Sequence, residues 1–149
     1  MTDTSTRLRT GQPASASVFT PNASQSFPIG TPVSQDAATA GVVIPANAGA
    51  GDVTLACTLG IATGAGVVGG GPVPVQYLGP VHLTTAEWDA ITGETGGLVT
   101  GARYFTGHVE PGTLTRVTSI TPGDFIVFVG TATSPTDLFL AITFPREIA

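Results

Sequence analysis

The chain has 149 residues, a formal net charge of −5 and only 10% charged residues, against about 25% in an average soluble domain. It contains no lysine, and its single basic pair, Arg7 and Arg9, stands in a start rich in threonine and serine. A phosphate backbone needs a cluster of cations, so nucleic acid is not expected as a partner. No window approaches the ~20 apolar residues of a membrane span. Hydrophobic residues make up 42%, enough for one core, and valine, threonine, isoleucine and phenylalanine prevail over strong helix formers. With Gly 20 and Pro 12, the chain turns often and cannot sustain long helices, which points to an all-β domain. So little charge also suits a surface packed against neighbours.

Residues 1–26 are dominated by Ser, Thr, Ala, Pro and Gln, with Leu8, Val18 and Phe19 as the apolar exceptions. Such a segment reads as an extended N-terminal arm that needs a surface to lie on. It has no apolar stretch of the secretory-signal kind. The remainder, 27–149, reads as a single β-barrel or β-sandwich domain. Short strand signals separated by Gly, Pro and Asp turns predict strands near 31–34, 41–45, 53–62, 73–78, 103–106, 114–117, 125–133 and 138–144. The run AGVVGGGP at 65–72 predicts a loop. Cys57, the only cysteine, lies in the apolar run 53–57 and reads as a small buried side chain with no disulfide or metal role.

One short helix is signalled at about 85–92. Thr84 and Glu87 form a capping box, Leu83 and Trp88 the matching hydrophobic staple, and Gly93 the left-handed stop. On either side of it the sequence repeats. Gly30-Thr31-Pro32-Val33 and Gly60-Ile61-Ala62-Thr63 are mirrored by Gly101-Ala102-Arg103-Tyr104 and Gly130-Thr131-Ala132-Thr133 at nearly the same separation. Two similar β-units joined by the helix are the expected architecture.

Catalytic chemistry finds little footing. His82 and His108 have no cysteine or carboxylate at metal-ligand spacing, so no metal, no cofactor and no catalytic residues are expected. His108 beside Glu110 would matter only if both faced a pocket with further carboxylates. Glu87 is explained by the cap and Asp89 by the helix dipole, while Glu94, Glu110, Asp124 and Asp137 sit beside turn residues. The glycines at 69–71 are followed by neither the lysine of a phosphate loop nor a helix. No serine lies in a Gly-x-Ser-x-Gly elbow.

The stretch from Leu83-Thr84 through Trp88, Gly96-Gly97-Leu98, Gly101, Tyr104, Pro111-Gly112-Thr113-Leu114 and Val129-Gly130-Thr131-Ala132 resembles a module of tailed-bacteriophage virion proteins. The upstream Gly30-Thr31-Pro32-Val33 and Gly60-Ile61-Ala62 are similar to segments of small capsid-decorating (cement) proteins. The resemblance covers about residues 28–146. It implies a decoration protein made in the host cytoplasm and carried on the capsid surface. The implied partners are the major capsid protein at junctions between its subunits and two further copies of the chain in a homotrimer. The arm would act as the clamp, with Phe19 and Phe27 as apolar anchors and Arg7 and Arg9 as ion-pair formers. The same module occurs in head-fibre and tail-fibre components that contact the host surface, which is the alternative implication.

Overall fold

A computed structural model of the chain describes residues 17–49, 51–118 and 121–149. The basic pair Arg7 and Arg9, and the arm up to residue 16, lie outside these residues. In chain order the elements are β1 (Val18–Phe19), β2 (Asn22–Ala23), β3 (Pro32–Gln35), β4 (Val42–Pro45), α1 (Val53–Ala56), β5 (Gly60–Ala62), β6 (Val75–Gln76) and β7 (Leu78–His82). Then follow α2 (Thr85–Thr92), β8 (Arg103–Thr106), β9 (Leu114–Thr115), β10 (Phe125–Ile126), β11 (Phe128–Ala132), β12 (Asp137–Ala141) and β13 (Arg146–Glu147). The fold is all-β in class. One sheet has the order β1-β6-β5-β3-β4-β2, a second β7-β12-β11-β8-β9, and β10 pairs with β13 apart from both.

The internal repeat is present in the hydrogen bonding. The sheets share the order β6-β5-β3-β4 and β12-β11-β8-β9. Pro32 and Val33 pair with Ile61 and Gly60 as Arg103 and Tyr104 pair with Thr131 and Gly130. The Gly30 amide donates to the Ala62 carbonyl at 2.7 Å, and the Gly101 amide to the Ala132 carbonyl at 2.7 Å. The return bonds, Ala62 to Thr31 and Ala132 to Ala102, are both 2.9 Å. Gly30 and Gly101 have φ of +94° and +84°, the left-handed region in which a side chain would be strained. Gly60 and Gly130 serve a different need: a Cβ there would stand 2.5 Å from the Gln76 carbonyl oxygen and 2.4 Å from that of Phe139.

Helix α2 has the expected bounds, 85–92, with both capping-box bonds made and Gly93 left-handed at φ +73°. The Glu87 amide donates to Thr84 Oγ1 at 3.1 Å and the Thr84 amide to Glu87 Oε1 at 2.9 Å. Its place in the fold differs from expectation. The repeating units meet at Tyr77, between β6 and β7, and α2 lies inside the second one. The run β1-β2-β3 in the first unit corresponds to β7-α2-β8 in the second, so the helix replaces a strand instead of joining the halves.

Three strand predictions also change. The run 53–62 begins with a second helix, the single turn α1, because Asp52 caps it by accepting from the Thr54 amide at 2.9 Å. The run 73–78 is divided between sheets, β6 in one and β7 in the other. The run 125–133 is divided at Val127 into β10 and β11, and β11 carries a register shift between Phe128 and Gly130. Strand β13, at the C-terminal end, had no recognised signal.

The main core joins both units: Ile61 packs with Val81, Leu83, Trp88, Ile91, Leu98, Tyr104, Leu114 and the inward residues of β11 and β12. Trp88 is fully buried and its Nε1 donates to the Thr136 carbonyl at 2.9 Å, the partner a buried indole needs. Leu83 and Trp88 share this core as the staple requires. A second cluster gathers Phe27, Val33, Val43, Ala62, Val73 and Val75, with Phe19 packed against it. Cys57 is a free thiol, half-buried at the C-terminal cap of α1.

Candidate functional site

The surface feature with the clearest potential for recognition is the outer face of the second sheet. Strand alternation sends Val81, Leu138, Leu140, Val129 and Tyr104 inward and their neighbours outward. Register then aligns the outward set: Leu78 lies opposite Ala141 and Pro80 opposite Phe139, Phe139 opposite Thr131, and Phe128 opposite Phe105. Phe139 is 49% and Leu78 55% exposed, while the Phe105 and Phe128 rings meet edge-on with centroids 5.7 Å apart. Just past β12, Phe144 is 88% exposed and lines a cleft of about 250 Å³ with Tyr77, Ile142 and the Cys57–Leu59 segment. Large apolar side chains in register on one sheet face mark an interaction surface.

The edge of that sheet is closed to further pairing at β7. Pro80 has no amide to give, and the Gln76 side-chain Nε2 donates to the carbonyls of Leu78 at 2.9 Å and Pro80 at 2.7 Å. A proline together with side-chain capping blunts an edge strand against unwanted association.

Two polar clusters have structural geometry. At one corner His82 Nδ1 lies 2.8 Å from Asp137 Oδ1, and Ser134 Oγ donates to Asp137 Oδ2 at 2.6 Å. Serine, histidine and aspartate thus meet, but the carboxylate sits between the other two. The imidazole does not reach the hydroxyl, so the arrangement lacks the serine–histidine contact of an acyl-transfer triad. The Ser134 hydroxyl and then His82 hold the Asp137 carboxyl below its usual range. At the other cluster Tyr104 Oη donates to Glu94 Oε1 at 2.8 Å and accepts from the Val99 amide at 2.9 Å. Arg116 Nε donates to the second Glu94 oxygen at 2.6 Å. Burial pushes the Tyr104 hydroxyl pKa up, while hydrogen bonding to Glu94 raises that of Arg116.

Glu94 and Asp137 therefore do more than form turns. Asp89 also differs from its reading: its carboxylate accepts from the Gly96 and Gly97 amides at 3.0 and 2.7 Å, tying the loop after α2 to the helix. Sequence spacing carried no signal for these partners, which lie up to 55 residues apart.

His108 and Glu110 do line a common groove, of about 300 Å³, beside the end of α2. No second carboxylate lines it, and among the described residues no hydrogen bond joins the two. No group of three His, Cys, Asp or Glu that could hold a metal occurs among the described residues, and no described helix is long and apolar enough to cross a membrane.

The arm residues are brought into the fold from Ser17 onward. Phe27 is buried at 6% exposure, with its ring against Gly66, where a Cβ would stand 2.4 Å from it. Its anchoring role is thus taken up inside this chain. Phe19 is half-buried, its ring 6.3 Å from that of Tyr77. Leu83, Thr84, Glu87, Trp88 and Gly93 all have the helix-defining roles their types imply. No protein-family model matches the chain, and no curated protein is significantly similar to it in sequence. What the geometry itself defines is a tandem-repeat β protein with one apolar sheet face turned to solvent.

Proposed function

We propose that the chain is a virion structural protein that decorates a phage capsid, binding at junctions between major capsid subunits as a homotrimer and acting without catalysis. The observation that carries this reading is the outward apolar face of the second sheet, set on a surface of very low charge. A face built from Leu78, Pro80, Phe105, Phe128 and Phe139 has the composition of an interface centre, where aromatic residues are enriched and charges depleted. Arg103 and the His82–Asp137 pair lie at its margin, in keeping with a polar rim.

The test is to mix the protein with undecorated mature capsids, sediment them, and count bound copies per shell. Saturable binding in multiples of three is expected, and Phe139→Asp, at an exposed site, is expected to abolish it while leaving the circular dichroism spectrum unchanged. Absence of binding, or a few copies per particle, would overturn the reading in favour of a fibre component at a vertex or on the host-facing side.

A further inference from the structure

Both ends of one strand pair carry exposed apolar surface, and the two ends have opposite shapes. Strands β5 and β6 lie side by side, with Ile61 opposite Gln76 and Ala62 opposite Val75. Beyond β5 the chain turns at 67–70, where the Gly70 amide donates to the Val67 carbonyl at 2.9 Å and Gly69 has φ +72°. Turn tips favour glycine and polar residues, yet this one carries Val67 and Val68, 53% and 61% exposed. They are held out from the core. The Gly66 amide donates to the Phe27 carbonyl at 2.9 Å, and the Gly66 carbonyl accepts from the Phe27 amide at 3.1 Å. The buried Phe27 ring also occupies the place a Gly66 side chain would take. The base of the turn is thus pinned, and the two valines form a fixed knob.

The opposite end of the pair is concave. Leu59 precedes β5 and Tyr77 follows β6, and with Cys57, Ile142 and Phe144 they line the cleft of about 250 Å³. The strand from Leu59 to Thr63 spans roughly 13 Å and points the knob away from the cleft, so a chain cannot seat its own valines there. No Asp, Glu, Lys or Arg occurs between Asp52 and Glu87, the stretch that holds both valines, Leu59 and Tyr77. Ile142 and Phe144 add no charge. Neither surface therefore has a charge to desolvate when the two meet.

We infer that the occupant of this cleft is the Val67–Val68 knob of a second copy of the chain. A convex and a concave apolar surface, both free of charge, are offered by the same molecule at places where they can meet only between molecules. Area agrees with this. Phe144 is 88% and Tyr77 39% exposed, and with the two valines they present roughly 400 Å² of apolar surface. That is about half of the ~900 Å² of non-polar area in a standard interface, from four side chains alone. Because knob and cleft are different patches, the contact is heterologous, and each copy offers one of each. Repetition of such a contact closes a ring or grows a filament. A ring of three is the homotrimer of the proposed function, and it leaves the outer face of the second sheet for the shell.

The inference rests on the self-association part of the proposed function, and the experiment separates the two. In the full chain, Val68→Asp spoils the knob and Phe144→Asp spoils the cleft, both at exposed sites. Each is expected to weaken self-association about tenfold in sedimentation velocity, with the circular dichroism spectrum unchanged. Mixed one to one, the two variants are expected to form dimers, because the first keeps a sound cleft and the second a sound knob. A mixture that stays monomeric, or self-association unmoved by either variant, would overturn the inference. Cys57 supplies a second measurement. Val68→Cys, treated with a short bismaleimide, is expected to give covalent dimers and trimers, and Cys57→Ala in the same chain is expected to abolish them. Linkage confined to single chains, no linkage, or linkage that persists without Cys57 would each overturn the assignment. The same proteins go through the capsid assay. Stoichiometric capsid binding without knob-to-cleft linkage would sink this inference and leave the decoration reading standing; linkage without capsid binding would do the reverse.

Discussion

Replacing Gly130 or Gly60 by alanine tests whether the two units are built on the same constraint. At Gly130 the added Cβ would lie 2.4 Å from the Phe139 carbonyl oxygen, and at Gly60 2.5 Å from that of Gln76 and 2.6 Å from Val75 Cγ1. Each is roughly 1 Å short of an ordinary contact. The oxygen belongs to a backbone held in a ladder, so relief requires β12, or β6, to move as a strand. Overpacking of this kind costs about 1–3 kcal/mol, and each ladder bond stretched in the process about 1 kcal/mol more. The expected loss is about 2–4 kcal/mol at either site. For a chain of this size that lowers Tm by roughly 5–15 °C. Urea unfolding followed by Trp88 fluorescence measures it, with an unchanged m-value showing that stability and not compactness has moved. A loss below about 0.5 kcal/mol at either glycine, or a difference above about 2 kcal/mol between them, would refute a shared backbone constraint.

Three further outcomes follow from local geometry. Thr84→Ala removes one half of the capping box while the Glu87 carboxylate remains, and is expected to cost about 1 kcal/mol in the same urea assay. Trp88→Phe removes one of two donors to the Thr136 carbonyl, which keeps the Leu83 amide at 3.0 Å, and leaves a void in the main core. The expected loss is about 2–3 kcal/mol, read from the thermal midpoint by circular dichroism. The Asp137 carboxyl is held below its ordinary value by Ser134 and His82, so the folded state binds its proton more weakly than the unfolded chain. That contribution is complete above the unfolded value of about 4 and disappears as pH falls through the lower folded value. Asp137→Asn is therefore expected to flatten the decline of the urea midpoint as pH falls below about 4, and an unaltered slope would refute the linkage.

How legible the fold was depends on where its information lies. Helix α2 was readable to the residue because its determinants are local: a cap, a staple and a left-handed glycine within a short run. The repeat was readable for a related reason. Gly30 and Gly101 are required by positive φ, and Gly60 and Gly130 by a carbonyl that leaves no room for a Cβ, so the residue type itself records the constraint. Strand boundaries were not local in this sense. The run 73–78 looks like one strand, yet β6 and β7 belong to different sheets, a division set by tertiary pairing alone. The two-residue strands β1, β2 and β13 are too short for periodicity to register at all. The α1 turn did have a signal, Asp52 after Gly51, but the β-branched apolar run behind it read as strand.

The polar clusters were invisible for a deeper reason. Glu94 meets Arg116, and Asp137 meets His82, only because β7 and β12, or the loop after α2 and β9, become neighbours after folding. Each residue taken in its own sequence context sits beside turn formers and reads as one of them. The edge at β9 is still less legible, since it is defined by comparison: nothing in Leu114 or Gly112 announces that a helix stands where β2 lies on the equivalent edge of β4. Eight helical residues stand where the first unit makes a two-residue strand, and Ile91 of α2 packs with Leu114 of β9 in the main core. Two halves that share a backbone plan thus close the same edge by different means, the first with the parallel strand β2 and the second with helix α2.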